Sequence, residues 1–384
     1  METSRISSNL LKTFYFVILF VLIVLLVPYN KGLFFREGFR WLYILFLSFC
    51  LSFTLTPIIR HFAKKWGALD YPDDRKVHKQ ATPLLGGIPI YIAFFVAVYS
   101  NNIFTRSLLG ILSGGFLIFL VSVIDDIYGV KAWIKLLIQI IATLIVVHSG
   151  IVLNLFTKIP LGMELNVFLT FLWVIGITNS FNFFDGMDGL ASGLGIITAF
   201  FIGIVAFQTN QPYFGWIAIA IVGSCIGFLP YNFRINNPAT IFLGDAGSNF
   251  LGFTLACLAI LGEWADNNPI VSLATPLLIF WIFIFDMTYI TITRIATKRV
   301  TNFREWIDYV GRDHLHHRLA ILLSSEKKSV IFIFLLCVCM GIGSIALRYA
   351  RTLDALLLLV QAAIIVGLVT ILEVGSKKSK IVNE

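Results

Sequence analysis

The chain has 384 residues, of which 58% are hydrophobic and 13% charged, and its mean hydropathy is +0.89. A soluble domain carries about a quarter charged residues, so this composition excludes an ordinary soluble protein and requires that most of the surface lie in lipid. The formal net charge of +8 fits one basic membrane face, suited to anionic lipid heads and phosphates. No nucleic-acid partner is expected.

Apolar runs recur along the whole chain, and most approach the roughly 20 residues that cross a ~30 Å hydrocarbon core. They lack the alternating pattern of a membrane barrel. The sequence therefore predicts an all-α, polytopic integral membrane bundle of about 11–12 transmembrane helices in a single domain, 1–384. The predicted spans lie near 13–29, 41–60, 86–100, 107–124, 132–149, 165–181, 190–208, 213–230, 248–262, 270–293, 329–347 and 354–373. The first run could be a cleaved signal peptide, but no small-residue cleavage site follows it, which favours an uncleaved span.

The placement of lysine and arginine sets the orientation of the bundle. With the N-terminus inside, the inner segments hold most of the 29 lysines and arginines and form a basic cytoplasmic face. Polar clusters then fall on that same face, although the topology depends on basic residues alone. They are 70–87 (DYPDDRKVHKQATPLLGG), 125–135 (DDIYGVKAWIK), 179–189 (NSFNFFDGMDG), 231–248 (YNFRINNPATIFLGDAGS) and 311–319 (GRDHLHHRL). The sequence thus predicts a polar cleft that opens to the cytoplasm.

Aspartates are concentrated at this rim, where a charged side chain inside a membrane helix costs about 2.5–3.5 kcal/mol. They are Asp125, Asp126, Asp185, Asp188 and Asp245. One such residue could be interfacial and solvated, but this interpretation weakens when all of them share one rim. Two unit charges 4 Å apart repel by about 4 kcal/mol at an effective dielectric of 20, so converging carboxylates need a cation. Oxygen ligands from Asp and Asn favour Mg²⁺, or alternatively Mn²⁺, with water and phosphate completing the coordination.

Glycines and histidines accompany the carboxylates. Gly186 and Gly189 permit a tight turn that can aim aspartates and backbone amides at one ligand. The histidines of HLHH could form a zinc site, but no HExxH motif or cysteine partner supports one. Beside Arg312 and Arg318 they are better suited to a diphosphate. Phe242 could stack on a base, although a core or lipid-facing phenylalanine is the simpler interpretation.

In their order, these clusters resemble the motifs of the polyprenyl-phosphate N-acetylhexosamine-1-phosphate transferases, of the glycosyltransferase 4 type. DDRKVHKQATPLLGG is similar to the first cytoplasmic loop of that family, and VIDDIYGVKAWIKLLIQ to its aspartate-pair motif. NSFNFFDGMDGL resembles its Asn-x-x-Asn-x-x-Asp-Gly-x-Asp-Gly motif, and PATIFLGDAGS its nucleotide and metal loop. HLHHRL resembles the histidine motif of the UDP-GlcNAc:undecaprenyl-phosphate GlcNAc-1-phosphate transferase branch. The resemblance covers about 41–319, so the span at 13–29 is extra.

The resemblance implies roles for individual residues. The catalytic residues would be Asp125, Asp126, Asp245 and His314, with one of the paired aspartates as a base toward the lipid phosphate. Asp185 and Asp245 would bind Mg²⁺. The substrate-binding residues would be Lys76, Lys135, Asn182, Gly186, Met187, Asp188, Phe242, Arg312, His316 and His317. It also implies the bacterial inner membrane, a cytoplasmic active site and a homodimer.

The expected reaction transfers N-acetylhexosamine-1-phosphate from a UDP-sugar to polyprenyl phosphate and releases UMP. GlcNAc-1-phosphate is the expected group, because Arg312, Arg318 and the basic loop before them suit a small, capped sugar rather than one that carries a peptide. The alternative in the same class is phospho-MurNAc-pentapeptide transfer in peptidoglycan synthesis. A cation-coupled transporter is a distant alternative, since its site would lie near the midplane and its sequence would show a repeat.

Overall fold

The computed structural model shows a helical membrane bundle and describes residues 2–72, 81–156, 159–264, 268–302, 305–306, 309 and 311–382. Lys76 lies outside the described residues. The first helices are α1 (Glu2–Leu26), α2 (Pro28–Arg36), α3 (Arg40–Trp66), α4 (Gly87–Ser100), α5 (Arg106–Tyr128), α6 (Ala132–His148), α7 (Gly162–Phe183) and α8 (Leu190–Gln208). The remaining helices are α9 (Pro212–Asn232), α10 (Gly244–Leu261), α11 (Pro269–Ile279), α12 (Trp281–Ala296), α13 (Leu315–Leu323), α14 (Glu326–Ala346) and α15 (Thr352–Val382).

Each of the twelve predicted spans matches one helix or one bent pair of helices, and the short α13 matches none. Among the described residues, 8 helices are long and apolar enough to cross a membrane, and two further spans, α1–α2 and α11–α12, are each bent by 77°. The apolar helices α4 and α6 are shorter than a full span. The prediction of a polytopic helical membrane protein is therefore confirmed. The breaks at residues 27 and 280 lie inside runs that hydropathy alone reads as continuous.

A small non-helical element lies between α3 and α4. Strands β1 (Leu69–Asp70) and β2 (Thr82–Pro83) pair antiparallel. The chain after α9 extends this element, because the amide of Phe242 donates to the carbonyl of Pro83 at 2.8 Å. The loop that precedes α4 is thereby joined to the loop that precedes α10.

Helix α10 lies at the centre of the bundle. It packs against α4, α5, α7 and α8, and 83% of its 18-residue span is buried. The crossing with α4 is so close that a Cβ on Gly87 would lie 2.2 Å from the backbone nitrogen of Gly247. Only glycine permits such an approach of two backbones, and the approach fixes the start of α10 beside the loop of α4.

Candidate active site

The polar clusters that the sequence predicts at one face do meet at one end of the bundle. Helices α5 and α7 end there, and α6, α8 and α10 begin there. The described part of 70–87 reaches this end through Gly87, whose amide donates to the carbonyl of Leu243 at 2.8 Å. The histidine cluster reaches it through His316, which lies against Gly186. The site is thus assembled from helix termini, where side chains and unpaired backbone amides are both available.

Asp126, at the end of α5, caps the N-terminus of α10. One carboxylate oxygen accepts the amide of Asp245 at 2.8 Å and the other accepts the amide of Ala246 at 3.1 Å. Gly244 makes this contact possible, since its φ is +76° and a Cβ there would lie 2.6 Å from the Asp126 carboxylate. A carboxylate at a helix N-terminus satisfies orphan amides and the helix dipole together. Asp126 therefore orients the helix that carries Asp245.

Lys135 bridges Asp125 and Asp245. Its ammonium donates to Asp125 Oδ2 at 2.8 Å and to Asp245 Oδ2 at 2.9 Å. Asn182 completes the arrangement, because its side-chain amide donates to Asp245 Oδ1 at 2.8 Å. These four residues come from α5, α6, α7 and α10, so four helices hold one polar centre. The sequence predicts all four as site residues, and the structure brings them together.

A reciprocal amide pair lies one helical turn farther into the membrane. Asn179 Nδ2 donates to Gln139 Oε1 at 2.8 Å, and Gln139 Nε2 donates to Asn179 Oδ1 at 3.2 Å. Gln139 follows Lys135 by four residues on α6, and Asn179 precedes Asn182 by three on α7. Residues at these spacings share a helix face. The pair therefore fixes α6 against α7 and holds Lys135 and Asn182 at their positions.

Asp185 lies between α7 and α8 and adds a further carboxylate to the centre. Burial raises the pKa of Asp185 well above its usual value, and the nearby charges of Asp245 and Asp126 raise that pKa further. The backbone amide of Gly244 acts in the opposite direction. Lys135 bridges two of the four carboxylates of the centre, which therefore keeps excess negative charge when all four are ionised. The four are Asp125, Asp126, Asp185 and Asp245. Such a centre attracts cations.

The donor set fits a hard divalent cation. Among the described residues, no three carboxylate, histidine or cysteine side chains converge as a complete metal cage. Mg²⁺ does not need one, because it is held by one or two carboxylates and keeps water or substrate phosphate as its other ligands. The half-buried carboxylates of Asp185 and Asp245 are the oxygen donors best suited to this role, since the charge of Asp245 raises the cost of ionising Asp185 and a cation would offset it.

The residues expected at a nucleotide lie along one edge of the centre. Met187 is buried and Gly186 is exposed. Asp188 Oδ2 accepts the amide of Ala239 at 2.8 Å, so this carboxylate holds the loop before α10. Phe242 is half-buried and hydrogen-bonded through its backbone to the loop of α4. Gly186, Met187 and Asp188 are consecutive, and Asp188 bonds the loop that contains Phe242. A uridine pocket at this edge stays a prediction.

The histidine motif is positioned by an aspartate that the sequence reading missed. Asp286, fully buried on α12, accepts from His314 Nδ1 at 2.7 Å and from the amide of Leu315 at 2.7 Å. The contact orients the His314 ring, whose centroid lies 4.7 Å from that of Phe183. The available signal was one carboxylate in the apolar run WIFIFDMTYI, since an ionisable residue inside a span needs a partner.

His316 and His317 are kept neutral by their surroundings. Burial lowers the pKa of His316 well below its usual value, and the neighbouring His317 and His314 add to this effect. Burial also lowers the pKa of His317 to about 4, with further contributions from His314 and Arg312. At neutral pH both rings are therefore uncharged, and they can meet a diphosphate as hydrogen-bonding groups rather than as cations.

The two arginines beside the histidines have different surroundings. Arg312 is exposed at the edge of the site. Arg318 is buried and turned away, because its Nε donates to Glu373 Oε2 at 2.9 Å and its Nη1 to the carbonyl of Asp313 at 2.6 Å. The expectation that Arg318 contacts the donor is therefore wrong: its side chain is committed to the last helix. Arg294, which the sequence reading did not single out, forms a two-bond ion pair with Asp313 at 2.8 and 2.7 Å.

Fold and site together define an integral membrane enzyme with an acidic site built from helix ends at one side of a bundle. The chain belongs to glycosyl transferase family 4, whose family model matches residues 108–263. This finding confirms the resemblance that the ordered motifs predict. The matched region contains the aspartate pair, the lysine, the Asn-Asp cluster and the Asp245 loop.

The curated relatives extend the match over most of the chain. The chain is 35% identical over 303 residues to "Probable undecaprenyl-phosphate N-acetylglucosaminyl 1-phosphate transferase" of Bacillus subtilis (strain 168). The match covers 77% of this chain and 82% of that protein. It is 28% identical over 357 residues to the decaprenyl-phosphate N-acetylglucosaminephosphotransferase of Mycobacterium leprae (strain TN), which is 84% of this chain and 87% of that protein. It is 34% identical over 245 residues to the phospho-N-acetylmuramoyl-pentapeptide-transferase of Limosilactobacillus reuteri (strain DSM 20016), which is 57% of this chain and 74% of that protein.

Proposed function

We propose that this protein transfers N-acetylglucosamine-1-phosphate from UDP-GlcNAc to a polyprenyl phosphate such as undecaprenyl phosphate and releases UMP. The observation that carries the proposal is the centre in which Lys135 bridges Asp125 and Asp245 at the end of a membrane bundle. Such a centre can be reached both by a lipid phosphate from the membrane and by a nucleotide sugar from the aqueous side. The names of the relatives support the same donor and acceptor classes.

The chemistry asks little covalent work of the protein. The lipid phosphate attacks the β-phosphorus of the UDP-sugar and UMP leaves, so charge neutralisation and in-line positioning dominate. Bound Mg²⁺ or Mn²⁺ would supply neutralisation of the diphosphate and of the departing UMP. Asp185 and Asp245 would hold it. Lys135 would offset further phosphate charge while it keeps Asp125 and Asp245 aligned.

The two paired aspartates have unequal freedom to act. Both oxygens of Asp126 accept backbone amides of α10, which supports a positioning role. Asp125 also has partners, Lys135 and the amide of Val130 at 2.6 Å, but the ammonium of Lys135 has three donors and could bind a phosphate as well. Asp125 is thus the better candidate to meet the lipid phosphate. His314, whose Nδ1 contacts Asp286, would donate from Nε2 to a diphosphate oxygen when both ring nitrogens are protonated.

A small donor sugar is favoured over a peptide-bearing one. The match to the relatives named for GlcNAc covers 77% and 84% of this chain, whereas the match to the pentapeptide transferase covers 57%. Arg312, exposed at the edge, remains available for the diphosphate or the sugar, where a charge-assisted hydrogen bond is worth about 1.5–3 kcal/mol. The same proposal places the protein in the bacterial inner membrane, as a homodimer with its active site on the cytoplasmic side.

The test is turnover of UDP-GlcNAc, UDP-GalNAc and UDP-MurNAc-pentapeptide with undecaprenyl phosphate, measured as UMP release by purified protein. We expect UDP-GlcNAc to be used best. Preference for the pentapeptide donor would move the protein to the other branch of the family and leave the reaction class intact. The matched control is Asp245→Asn, which should fold and release no UMP with any donor.

The orientation has a separate test. Single cysteines at Asn210 and Asn236, in a cysteine-free background, lie at opposite ends of α9. An impermeant thiol reagent should label the first from outside intact cells and should reach the second only after the cells are opened. Reversed labelling would place the site on the outer face.

A further inference from the structure

The last helix carries one buried charge at the end that meets the site. Between Thr352 and Glu373, α15 is apolar apart from Asp354, Gln361, Thr370 and Glu373 itself, and 17% of this span is buried. Three apolar side chains of α15, Ala355, Ala362 and Val369, are buried, and four more pack partly buried against the core: Leu358, Leu359, Ile365 and Val366. These apolar contacts are non-directional. Glu373, which is also buried, forms an ion pair and is therefore the contact of α15 that selects a particular partner.

Glu373 and Arg318 form a buried ion pair between the last helix and the histidine helix α13. The side chains are 4% and 7% exposed, and Arg318 Nε lies 2.9 Å from Glu373 Oε2. The same guanidinium donates through Nη1 to the carbonyl of Asp313 and lies 4.1 Å from the ring centroid of Tyr289 on α12. One side chain thus connects α15, α12 and the residue that immediately precedes His314.

Stability alone does not account for this pair. A buried ion pair often stabilises a protein no more than apolar residues of the same volume would, because desolvation offsets the attraction between the charges. Removing one partner, in contrast, leaves a charge without compensation and displaces the other. A pair of this kind selects one arrangement of the elements that it joins. Here those elements are the last helix and the segment Asp313–Leu319 that carries the histidines.

We propose that Glu373 is a positioning residue of the active site, which holds α13 through Arg318 so that His314 faces the reacting diphosphate. The role in turnover rests on the proposed function, whereas the anchoring of α13 does not. The last helix thereby serves the site directly, in addition to crossing the membrane. Asp286 on α12 holds the His314 ring, and Glu373 on α15 holds the backbone before that ring through Arg318 and the Asp313 carbonyl.

The test compares Glu373→Gln with Asp354→Asn, the same carboxylate-to-amide change near the other end of the same helix. Asp354 is exposed and accepts the amide of Arg351 at 2.8 Å. Hydrogen–deuterium exchange in detergent reports the anchoring without any substrate. We expect Glu373→Gln to raise exchange at least several-fold in 313–323 and to leave 122–136 unchanged, and Asp354→Asn to change neither.

Turnover and nucleotide binding report the functional part. In Glu373→Gln, kcat with UDP-GlcNAc should fall about tenfold or more while the Kd of UMP stays within twofold, since the proposed uridine edge does not depend on α15. Unchanged exchange in 313–323 would overturn the anchoring. Increased exchange with an unchanged kcat would overturn the role in positioning His314.

If Glu373→Gln does not fold, Arg318→Lys replaces it, because one ammonium cannot reproduce both hydrogen bonds, and the same criteria decide. If the wild type turns over no UDP-sugar, the proposed function fails, and the exchange experiment still decides the anchoring.

Discussion

Asp126 and Asp245 are joined across 119 residues of sequence by a hydrogen bond of 2.8 Å, in which the carboxylate of the first accepts the backbone amide of the second. Asp126, at the end of α5, thereby supports the start of α10, which carries Asp245. The two aspartates have the same side chain but different roles. The carboxylate of Asp126 fixes a helix, and the carboxylate of Asp245 accepts from Lys135 and Asn182 in the polar centre.

Asp126→Asn should destabilise the fold as well as the site. An amide side chain has one acceptor atom, so one of the two α10 amides loses its partner, and the free energy of unfolding should fall by about 1–3 kcal/mol. Thermal unfolding in detergent measures the loss. The matched control is Glu164→Gln, an exposed carboxylate in the first turn of α7, which should stay within about 0.5 kcal/mol of wild type. Equal melting temperatures for Asp126→Asn and the control would contradict the capping role.

Gly244→Ala should reduce both stability and turnover. Its left-handed backbone costs a residue with a Cβ about 1–3 kcal/mol, and the added methyl group would displace the Asp126 carboxylate. Gly176→Ala is the control, because a Cβ at that position in α7 meets nothing within 4 Å. That substitution should be neutral or stabilise by up to about 1 kcal/mol. A Gly244→Ala protein with normal melting temperature and normal kcat would show that Asp126 and Gly244 need not be in contact.

Lys135→Gln should reduce turnover strongly. The substitution removes a cation that donates to Asp125 and Asp245, and two charge-assisted hydrogen bonds of about 1.5–3 kcal/mol each are lost. We expect kcat to fall by about two orders of magnitude or more, with partial recovery in Lys135→Arg. The measurement is UMP release at saturating substrates. A Lys135→Gln protein within threefold of wild type would remove this lysine from the mechanism.

A divalent cation should bind at Asp185 and Asp245 and be required for turnover. Excess chelator should abolish UMP release, and Mg²⁺ or Mn²⁺ should restore it. Binding of Mn²⁺, measured directly by paramagnetic resonance without substrate, should weaken at least tenfold in Asp185→Asn and Asp245→Asn. Asp188→Asn should bind Mn²⁺ normally, because that carboxylate holds the loop at Ala239. Equal Mn²⁺ affinity in all the variants would place the cation elsewhere.

Acid should destabilise the protein partly through His317. The unfolded chain binds a proton at this residue with a pKa near 6.5, whereas the folded protein binds it only near pH 4. The unfolded state therefore holds more protons between these values, and the free energy of unfolding falls as the pH is lowered from 6.5 to 4. The melting temperature of His317→Gln should fall less steeply than that of wild type over this range. Parallel slopes would mean that His317 is accessible to protons in the folded state.

Much of the site could be predicted from the sequence because its chemistry is local. Asp125 and Asp126 are adjacent, and Asn182 and Asp185 are three residues apart, so their presence at one helix end follows from chain order and span length. The breaks at residues 27 and 280 could not be predicted in this way. The break at 280 lies in apolar sequence and the break at 27 at the end of an apolar run, and hydropathy reports burial in lipid and not the direction of the helix axis.

The long-range side-chain pairs could not be predicted from the sequence for a different reason. Asp286 and His314 are 28 residues apart, and Arg318 and Glu373 are 55 apart. A carboxylate in an apolar run signals that some partner exists, but only packing selects which one. Arg318 was assigned to the donor because it follows the histidines directly, whereas its side chain donates to Glu373 on α15.

The deep burial of α10 has a consequence for how such enzymes can diversify. Of its residues 244–261, almost all are enclosed by α4, α5, α7 and α8, so most substitutions there would cost about 2–5 kcal/mol through cavities or overpacking. New donor preferences are therefore more accessible by mutation around Arg312, on the exposed margin of the site, than along the helix that presents Asp245. Descendants of this chain could exchange one sugar for another and still inherit the same reaction centre.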